Sequence, residues 1–456
     1  MDNKFLIIAV AAIVAIAAVG AVIVLNGNDN SSDNNGGDDI TNEIVVKTLD
    51  LPADTLLRVF GNVNGDAYIN NDDMTYLKAI IKGEKEQTFY ADVNQDGVIN
   101  NKDVTYLQGI IKGDPTRLYY QNYKYDVKSV AVPIDKMTVI YYQVMEAVVL
   151  LGAFDKAVAT DEYTCVDKAS QFPGIEKMKN LGQKSEITAE DLMSTGATTI
   201  ISGSATYHIS EEVEKQLPSN YDMVRLCNGA SGPVIVWHVV TLGYILGSDG
   251  GYNYLDFYNK CMNTVKERTT GLNSDVPKSL SIYFDSETKF KIHCENSGSY
   301  EVSEFARTEN VADGFYEKYS TLYYYPENTE FVYGLEKDPG LDLLIFTKKS
   351  TIIGSDKKTF MDDFYNYMKS VGLDKLKNYQ DGKAIAICYN LTNGTPLCLG
   401  PIVIASLLYP DSFKDVNVYE YLQEFYDKFT MMKIDVTKDA FFFCTSQDLI
   451  DAGYKL

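Results

Sequence analysis

The sequence is short of the residues on which most catalysis and nucleic-acid binding depend. Its 456 residues hold three histidines, His208, His238 and His293, too scattered to make a catalytic or zinc-binding set. Tryptophan occurs once. No cysteine precedes Cys165, and the seven present contain no C-x-x-C, so buried thiols are expected, with Cys388 and Cys398 the one pair to test for a bridge. There is no glycine-rich phosphate loop and no nucleophile elbow. Positive charge is also scarce. With 41 Lys and Arg against 63 Asp and Glu, the net charge of −22 excludes the basic face a nucleic-acid partner needs. It suits a solvated, extracytoplasmic surface, and the missing acid–base set makes an enzyme the minority reading.

Two things are abundant: tyrosine, with 34 copies, and a single long apolar run. Residues 5–25 are apolar throughout, with Gly20 the one soft spot, and about 20 such residues span a bilayer as a helix. A cleavable signal peptide competes, but its apolar core would stop after about 7–15 residues. An N-terminal transmembrane anchor (1–25) is therefore expected, with the bulk of the chain outside the cell membrane. Residues 26–54 open on an Asn/Asp/Gly/Ser tract with nothing to bury, which reads as a flexible spacer. Glycosylation sequons begin at Asn30, Asn390 and Asn393.

A doublet follows. GNVNGDAYINNDDMTYLKAIIKG starts at Gly61 and YADVNQDGVINNKDVTYLQGIIKG at Tyr90. In register, Asn62, Asn64, Asp66, Asn70 and Asp73 match Asp92, Asn94, Asp96, Asn100 and Asp103. These occupy the ligand positions of a calcium loop, with Tyr68 and Val98 supplying the main-chain carbonyl. Ca²⁺ takes about 6–8 oxygens at flexible geometry, so clustered short carboxylates and amides suit it. Loop two has three carboxylates and Gly97 at the turn; loop one has two, and Ala67 in that place. Two Ca²⁺ sites are expected, the second stronger and the first under strain at Ala67. The helices after the loops should bury Met74, Leu77 and Ile81, and Val104, Leu107 and Ile111.

The doublet resembles a dockerin module, the paired F-hand unit of cellulosome components, over residues 55–116. The Asp at the last ligand position, in place of an EF-hand Glu, and the short stretch between the copies carry the likeness. A dockerin's partner is a cohesin-like domain, read through loop positions that here are Asn71-Asp72 and Asn101-Lys102. A structural module serving its own chain would look the same.

From residue 127 onward apolar strands alternate with helical stretches, the pattern of an α/β architecture with mainly parallel sheets. Strands are expected at 137–142, 156–160, 197–202, 222–227, 279–284, 341–346 and 383–389, and helices at 143–151, 189–195, 237–246, 359–371 and 418–429. A long proline-free helix at 253–272 separates an N-terminal lobe (127–252) from a C-terminal lobe (273–456). YQVMEAVVLLGAF, LGQKSEITAEDLMSTGATTII, WHVVTLGYILGSDGGYNYLDFYNK and LTNGTPLCLGPIVIASLLYPDSFKDVN, in that order, resemble the iron-chelate and cobalamin class of ABC-transporter substrate-binding proteins. That class III fold implies two Rossmann-like lobes joined by one long helix. A dockerin-like pair upstream is similar to an archaeal arrangement.

The resemblance implies capture of a metal chelate (iron-siderophore, haem or corrinoid) for an ABC permease and its ATPase. The alternative is dockerin-mediated assembly at the cell surface. In open α/β sheets ligands bind beyond the carboxyl ends of the strands. That places Tyr141, Tyr142, Tyr207, His208 and Asn228 of the first lobe, and Tyr300, Arg307 and Asn393 of the second, as candidate ligand contacts. Arg307 and Arg225 are the cations an anionic chelate would need. Glu190 and Glu330 fall where the resembled class docks onto its permease, although a glutamate opening a helix also complements the dipole.

Overall fold

The structure, a computed structural model, describes residues 43–50, 54–204, 208–227, 232–272, 276–286, 289–319, 321–348 and 356–456. The apolar run, most of the spacer, Asn30, Tyr207 and Asn228 lie outside the described residues. Among the described residues no helix is long and apolar enough to cross a membrane. The chain divides into two compact units, the first ending at Tyr119 and the second running from Tyr120 to Leu456.

In the first unit each ligand loop runs directly into a helix, α1 (Asn71–Ile81) and α2 (Asn101–Lys112). Asn70 and Asn100 cap them, and Asp73 and Asp103 reach back to the cap backbone, completing two capping boxes. The last ligand position is thus also the third residue of the helix, which turns that carboxylate inward. The buried line follows it: Asp73, Leu77, Ile80 and Ile81 on α1, and Asp103, Leu107 and Ile110 on α2. Met74, Val104 and Ile111, expected inside, are only partly buried, because the inward carboxylate rotates each helix and brings Ile80 or Ile110 into the core. Phe60, Phe89 and Tyr90 pack edge and face at 5.1–5.9 Å beside them. One short antiparallel ladder joins β1 (Ile44–Val45) to β2 (Val98–Ile99) of loop two.

The second unit holds two sheets that build the lobes. In the N-terminal lobe β3 (Met137–Val139), β4 (Ala157–Thr160), β5 (Lys179–Asn180), β6 (Thr199–Ser202) and β7 (Asp222–Arg225) are all parallel, in the order β5-β4-β3-β6-β7. The order reverses between β3 and β6, which makes the loops after those strands the switch point where ligands settle. Helix α3 (Tyr142–Leu150) follows β3, and α4 (Ala189–Met193) leads into β6. Helices α5 (Gly232–Leu246) and α6 (Gly250–Thr269) carry the chain out of the lobe. Their junction is tight: a Cβ on Gly250 would lie 2.9 Å from the Leu150 carbonyl, and one on Gly251 3.0 Å from the Val240 backbone. The long helix therefore begins at Gly250, three residues before the expected start.

The C-terminal lobe is mixed. Strands β8 (Lys278–Ser286), β12 (Leu343–Lys348) and β13 (Ala384–Cys388) are parallel, with Leu280 opposite Leu344 and Ile345 opposite Ile385. A short β10 (Glu309–Asn310) adds to β8, and β9 (Lys289–His293), β11 (Tyr323–Tyr324) and β14 (Phe443–Thr445) pair antiparallel. All five residues of β13 are buried, as a strand covered on both faces requires. Around the sheet stand α7 (Gly298–Phe305), α8 (Glu330–Leu335), α9 (Lys357–Ser370), α10 (Leu399–Leu408) and α11 (Val418–Phe429). The connecting helix α6 packs Phe257 against Phe425 and Phe429, and its Tyr254 hydroxyl donates to the Thr395 carbonyl at 2.8 Å. None of the seven cysteines is in a disulfide, and Cys388 donates to the Phe441 carbonyl. The neighbour of Cys398 is Cys261, not Cys388.

Candidate functional site

In the first unit the ligand loops are folded by their own side chains. Asn64 Oδ1 accepts from Asp66 N at 2.9 Å and Asp66 Oδ1 from Tyr68 N, as Asn94 does from Asp96 N at 2.9 Å and Asp96 from Val98 N at 3.1 Å. Asp73 and Asp103 accept backbone N–H groups from across the loop, Asn64 and Asn70 in one, Val93, Asn94 and Asn100 in the other. Asn62 donates its Nδ2 to the Leu57 and Asp66 carbonyls, which leaves Oδ1 buried without a hydrogen-bond partner. Burial raises the Asp92 carboxyl, with Asp103 and Asp96 adding to it, and burial raises Asp73 and Asp103, each next to a further aspartate. An orphaned amide oxygen and mutually repelling carboxylates fit a hard cation. Among the described residues no group of three or more His, Cys, Asp or Glu side chains forms a metal set by itself. Amide and main-chain oxygens would have to complete either shell, as Ca²⁺ permits.

The loops differ at the turn. Loop two puts Gln95 (φ 57°) and Gly97 (φ 87°) in the left-handed region, and Asp92 Oδ2 accepts from Gly97 N at 3.0 Å. In loop one only Gly65 (φ 76°) is left-handed. Ala67 stays out of that region, so the strain expected there is absent; the loop avoids it by taking another path.

In the second unit the carboxyl ends of both lobes' parallel strands face a cleft of ≈ 170 Å³ lined by Tyr141, Tyr142, Tyr163, Lys168, Tyr283, Tyr389 and Asn390. Tyr141 follows β3 at φ 86°, held there by its N–H to the buried Asp161 carboxylate at 2.7 Å. Asp161 also accepts from the Thr164 hydroxyl at 2.7 Å. A tyrosine at that φ stores strain, which accumulates at binding sites. Tyr141 packs on Tyr142 (4.7 Å), Tyr163 (6.3 Å) and His208 (4.5 Å), bringing together the loops after β3 and β6. Across the cleft Tyr283 meets Tyr389 at 5.5 Å. Burial raises the hydroxyls of Tyr141, Tyr142 and Tyr389, so all three stay protonated at neutral pH. Lysines lie against these rings: Lys168 at 4.9 Å from Tyr142, Lys184 at 4.1 Å from Tyr141, Lys291 at 4.6 Å from Tyr283.

The other expected residues are distributed unevenly. Asn393 lies at the seam, where its Oδ1 accepts from Gln143 of the other lobe at 3.4 Å and its Nδ2 meets the Tyr389 hydroxyl. Tyr300 is buried in α7 and bonds Asp313 at 3.3 Å. Arg307 donates to the Leu272 carbonyl at 2.7 Å, and Arg225 is buried in an ion pair with Glu214 at 2.8 Å. Neither arginine lines the cleft, because both satisfy local acceptors. Glu190 and Glu330 are exposed in the first turns of α4 and α8. The sequons at Asn390 and Asn393 sit partly buried at the seam, beside buried Thr392 and Thr395. Sequence reasoning missed Tyr163, Lys168, Tyr283 and Tyr389. Tyr283 and Tyr389 had a signal, since each stands at the carboxyl end of an expected strand.

The buried histidines make acid a probe of this unit. Burial, then nearby cations, lowers His208 and His293 from 6.5 to about 3. A folded value below the unfolded one contributes stability that is present above 6.5 and lost as pH falls toward 3. His293→Asn should therefore narrow the difference in unfolding midpoint between pH 7 and pH 5, whatever it costs at pH 7. An unchanged difference, measured calorimetrically, would refute the assignment.

Comparison with known proteins accords with both units. Residues 61–111 match the profile of the Dockerin type I domain. No curated protein matches the sequence. The fold is similar to a TroA-like periplasmic binding protein, FepB, of Veillonella parvula, with a TM-score of 0.57 and 15% identity over 72% of this chain and 99% of that one. It is similar to the molybdate-bound periplasmic protein MolA of Haemophilus influenzae, at 0.53 and 14% over 68% and 97%. CeuE of Helicobacter pylori, solved with nickel and histidine, gives 0.51 and 13% over 71% and 98%. At these identities the likeness establishes the fold. The chain therefore carries a type I dockerin domain, followed by a two-lobed unit with the fold of periplasmic binding proteins.

Proposed function

We propose that the protein is an extracytoplasmic substrate-binding protein of an ABC importer, held at the cell membrane by its N-terminal apolar run, that captures a metal chelate and hands it to the permease and its ATPase. One observation carries this reading: the carboxyl ends of the parallel strands in both lobes converge on one aromatic cleft. Among the described residues the cleft is lined by five tyrosines, Lys168 and Asn390, and the role proposed for it is binding without chemistry. Exposed Glu190 and Glu330 are the proposed permease contacts. The dockerin domain takes Ca²⁺ at two sites, the second tighter. Ferric siderophores, haem and corrinoids are the ligands to titrate. One of them should quench the tyrosine fluorescence of the full chain at micromolar concentration, and silence across the panel from folded protein would overturn the reading.

A second reading rests on the dockerin match itself. The residues such a module presents to a cohesin, Asn71, Asp72, Asn101 and Lys102, are all exposed. Calcium-dependent capture by a cohesin panel would add surface assembly to the transport role, and no capture would leave the module serving its own chain.

A further inference from the structure

Helix α6 buries one line of side chains at helical spacing, Tyr254, Tyr258, Cys261 and Val265. That line runs along the segment that opens α10. The Tyr254 hydroxyl donates to the Thr395 carbonyl at 2.8 Å. About two turns further along α6, Cys261 is in hydrogen-bonding contact with Cys398, the residue just before α10. Both cysteines are fully buried, and both are thiols in the structure. Tyr254 and Tyr258 lie beside the two of them. Cys388 and Cys444 make the contrast. They stand on the paired strands β13 and β14, but Cys444 is opposite Ala386, so the two meet only on the diagonal. Diagonal Cα atoms are about 7–8 Å apart, and a disulfide needs about 4.4–6.8 Å. The Cys388 thiol is instead turned to the Phe441 carbonyl at 3.5 Å, and that of Cys294 to the Ile292 carbonyl at 3.9 Å.

We infer that Cys261 and Cys398 close into a disulfide that ties the connecting helix to the C-terminal lobe. The step needs a two-electron acceptor, and the class proposed is the disulfide of a small thiol or of a thiol-exchange protein. One protein thiolate displaces a sulfur of that disulfide, leaving a mixed disulfide and a free thiol. The second protein thiolate then displaces the remaining one. Two protons and two electrons leave the pair, one S–S bond forms, and the acceptor departs as two thiols. Burial, and then the Cys398 thiol beside it, keeps Cys261 far from its thiolate form in the folded chain. Exchange therefore belongs to the folding chain, and the finished bond is a fixed strut. That the chain meets such an acceptor rests on the extracytoplasmic reading; that the pair fits the bond does not. The bond encloses residues 262–397, a long loop whose closure restricts the unfolded chain. It also holds α6 to the segment that carries Tyr389 and Asn390 of the cleft and Asn393 of the seam.

The test takes the full chain, reduced and unfolded, and refolds it in a buffer of oxidised and reduced glutathione. Unfolded again without reductant, it should offer five of its seven thiols to an alkylating reagent. Digestion should give one joined pair of peptides, carrying Cys261 and Cys398, that separates on reduction. Reduction should also lower the unfolding temperature of the second unit by about 3–10 °C. Cys261→Ala and Cys398→Ala should each remove that dependence and leave all six remaining thiols open to alkylation. Should either variant not fold, the peptide map of the unaltered chain decides. Seven alkylated thiols after refolding, or a joined pair of any other two cysteines, overturns the inference. A bond that forms on refolding yet is missing from protein drawn from its own cells counts against the extracytoplasmic placement and leaves the pair standing.

Discussion

Asp103→Ala should abolish the tighter of two calcium-binding phases and open the dockerin domain to solvent. The carboxylate has three tasks there. It takes the proposed last ligand position of loop two, closes the capping box of α2, and accepts the Val93, Asn94 and Asn100 N–H groups. Loss of a cap costs about 1 kcal/mol. Each buried N–H left unsatisfied costs about 1–3 kcal/mol more. A module this small has little other core to absorb the loss, so metal binding and folding should be one equilibrium. Asp73→Ala should remove the weaker phase. Calorimetric titration of the full chain with Ca²⁺, beside hydrogen exchange over residues 61–111, reads both effects. Exchange in the second unit should not change. A tighter phase that survives Asp103→Ala would show that the ligands are assigned to the wrong loop.

The second large effect comes from a position with no side chain. A Cβ on Gly400 would lie 2.2 Å from the Leu391 carbonyl oxygen and 2.6 Å from Val302 Cγ1, and one on Gly298 2.4 Å from the Thr392 carbonyl oxygen. Both obstacles include backbone, so neither can rotate away. The loop they pinch, 389–393, carries Tyr389 and Asn390 of the cleft and Asn393 of the seam. Gly400→Ala should therefore destabilise the second unit by about 1–3 kcal/mol or more. It should also weaken ligand binding in whatever protein still folds. Gly334 makes the contrast, since a Cβ there would meet nothing within 4 Å and its φ is ordinary. Alanine at that position should be neutral or stabilising by about 0.4–1 kcal/mol. Denaturant midpoints of the two variants, measured side by side, test the argument, and equal midpoints would sink it.

The doublet's loop-and-helix form was legible because residue type, spacing and helix start all fall on the same residues, Asn70 and Asp73 or Asn100 and Asp103. The seven expected strands were legible because each is an apolar run between polar turns; all seven form, within a few residues. The antiparallel partners β9, β11 and β14 were not, since Lys289, Lys291, Tyr323 and Tyr324 give the first two no apolar run and β14 is only three residues long. The cleft was half legible. Tyr141 and Tyr142 stand where a strand meets a helix. Lys168 lies in the irregular stretch after the turn Tyr163–Asp167, where no periodicity predicts which way a side chain points. Arg225 and Arg307 looked equally fit for an anion, but Glu214 and the Leu272 carbonyl engage them, and that is tertiary information.

The ladder between β1 and β2 has a mechanical consequence. Ile44 and Val45 lie opposite Ile99 and Val98, and Val46 N donates to the Gly97 carbonyl at 3.2 Å. Val98 is the residue whose carbonyl the proposed ion site would use, and Gly97 is the left-handed turn of that loop. Tension arriving from the N-terminal side thus reaches loop two before any helix of the module, loading the proposed tighter ion site first. Calcium there would act as a rivet at the point of attachment, and a pull strong enough to peel β1 would register as faster ion loss from that loop alone.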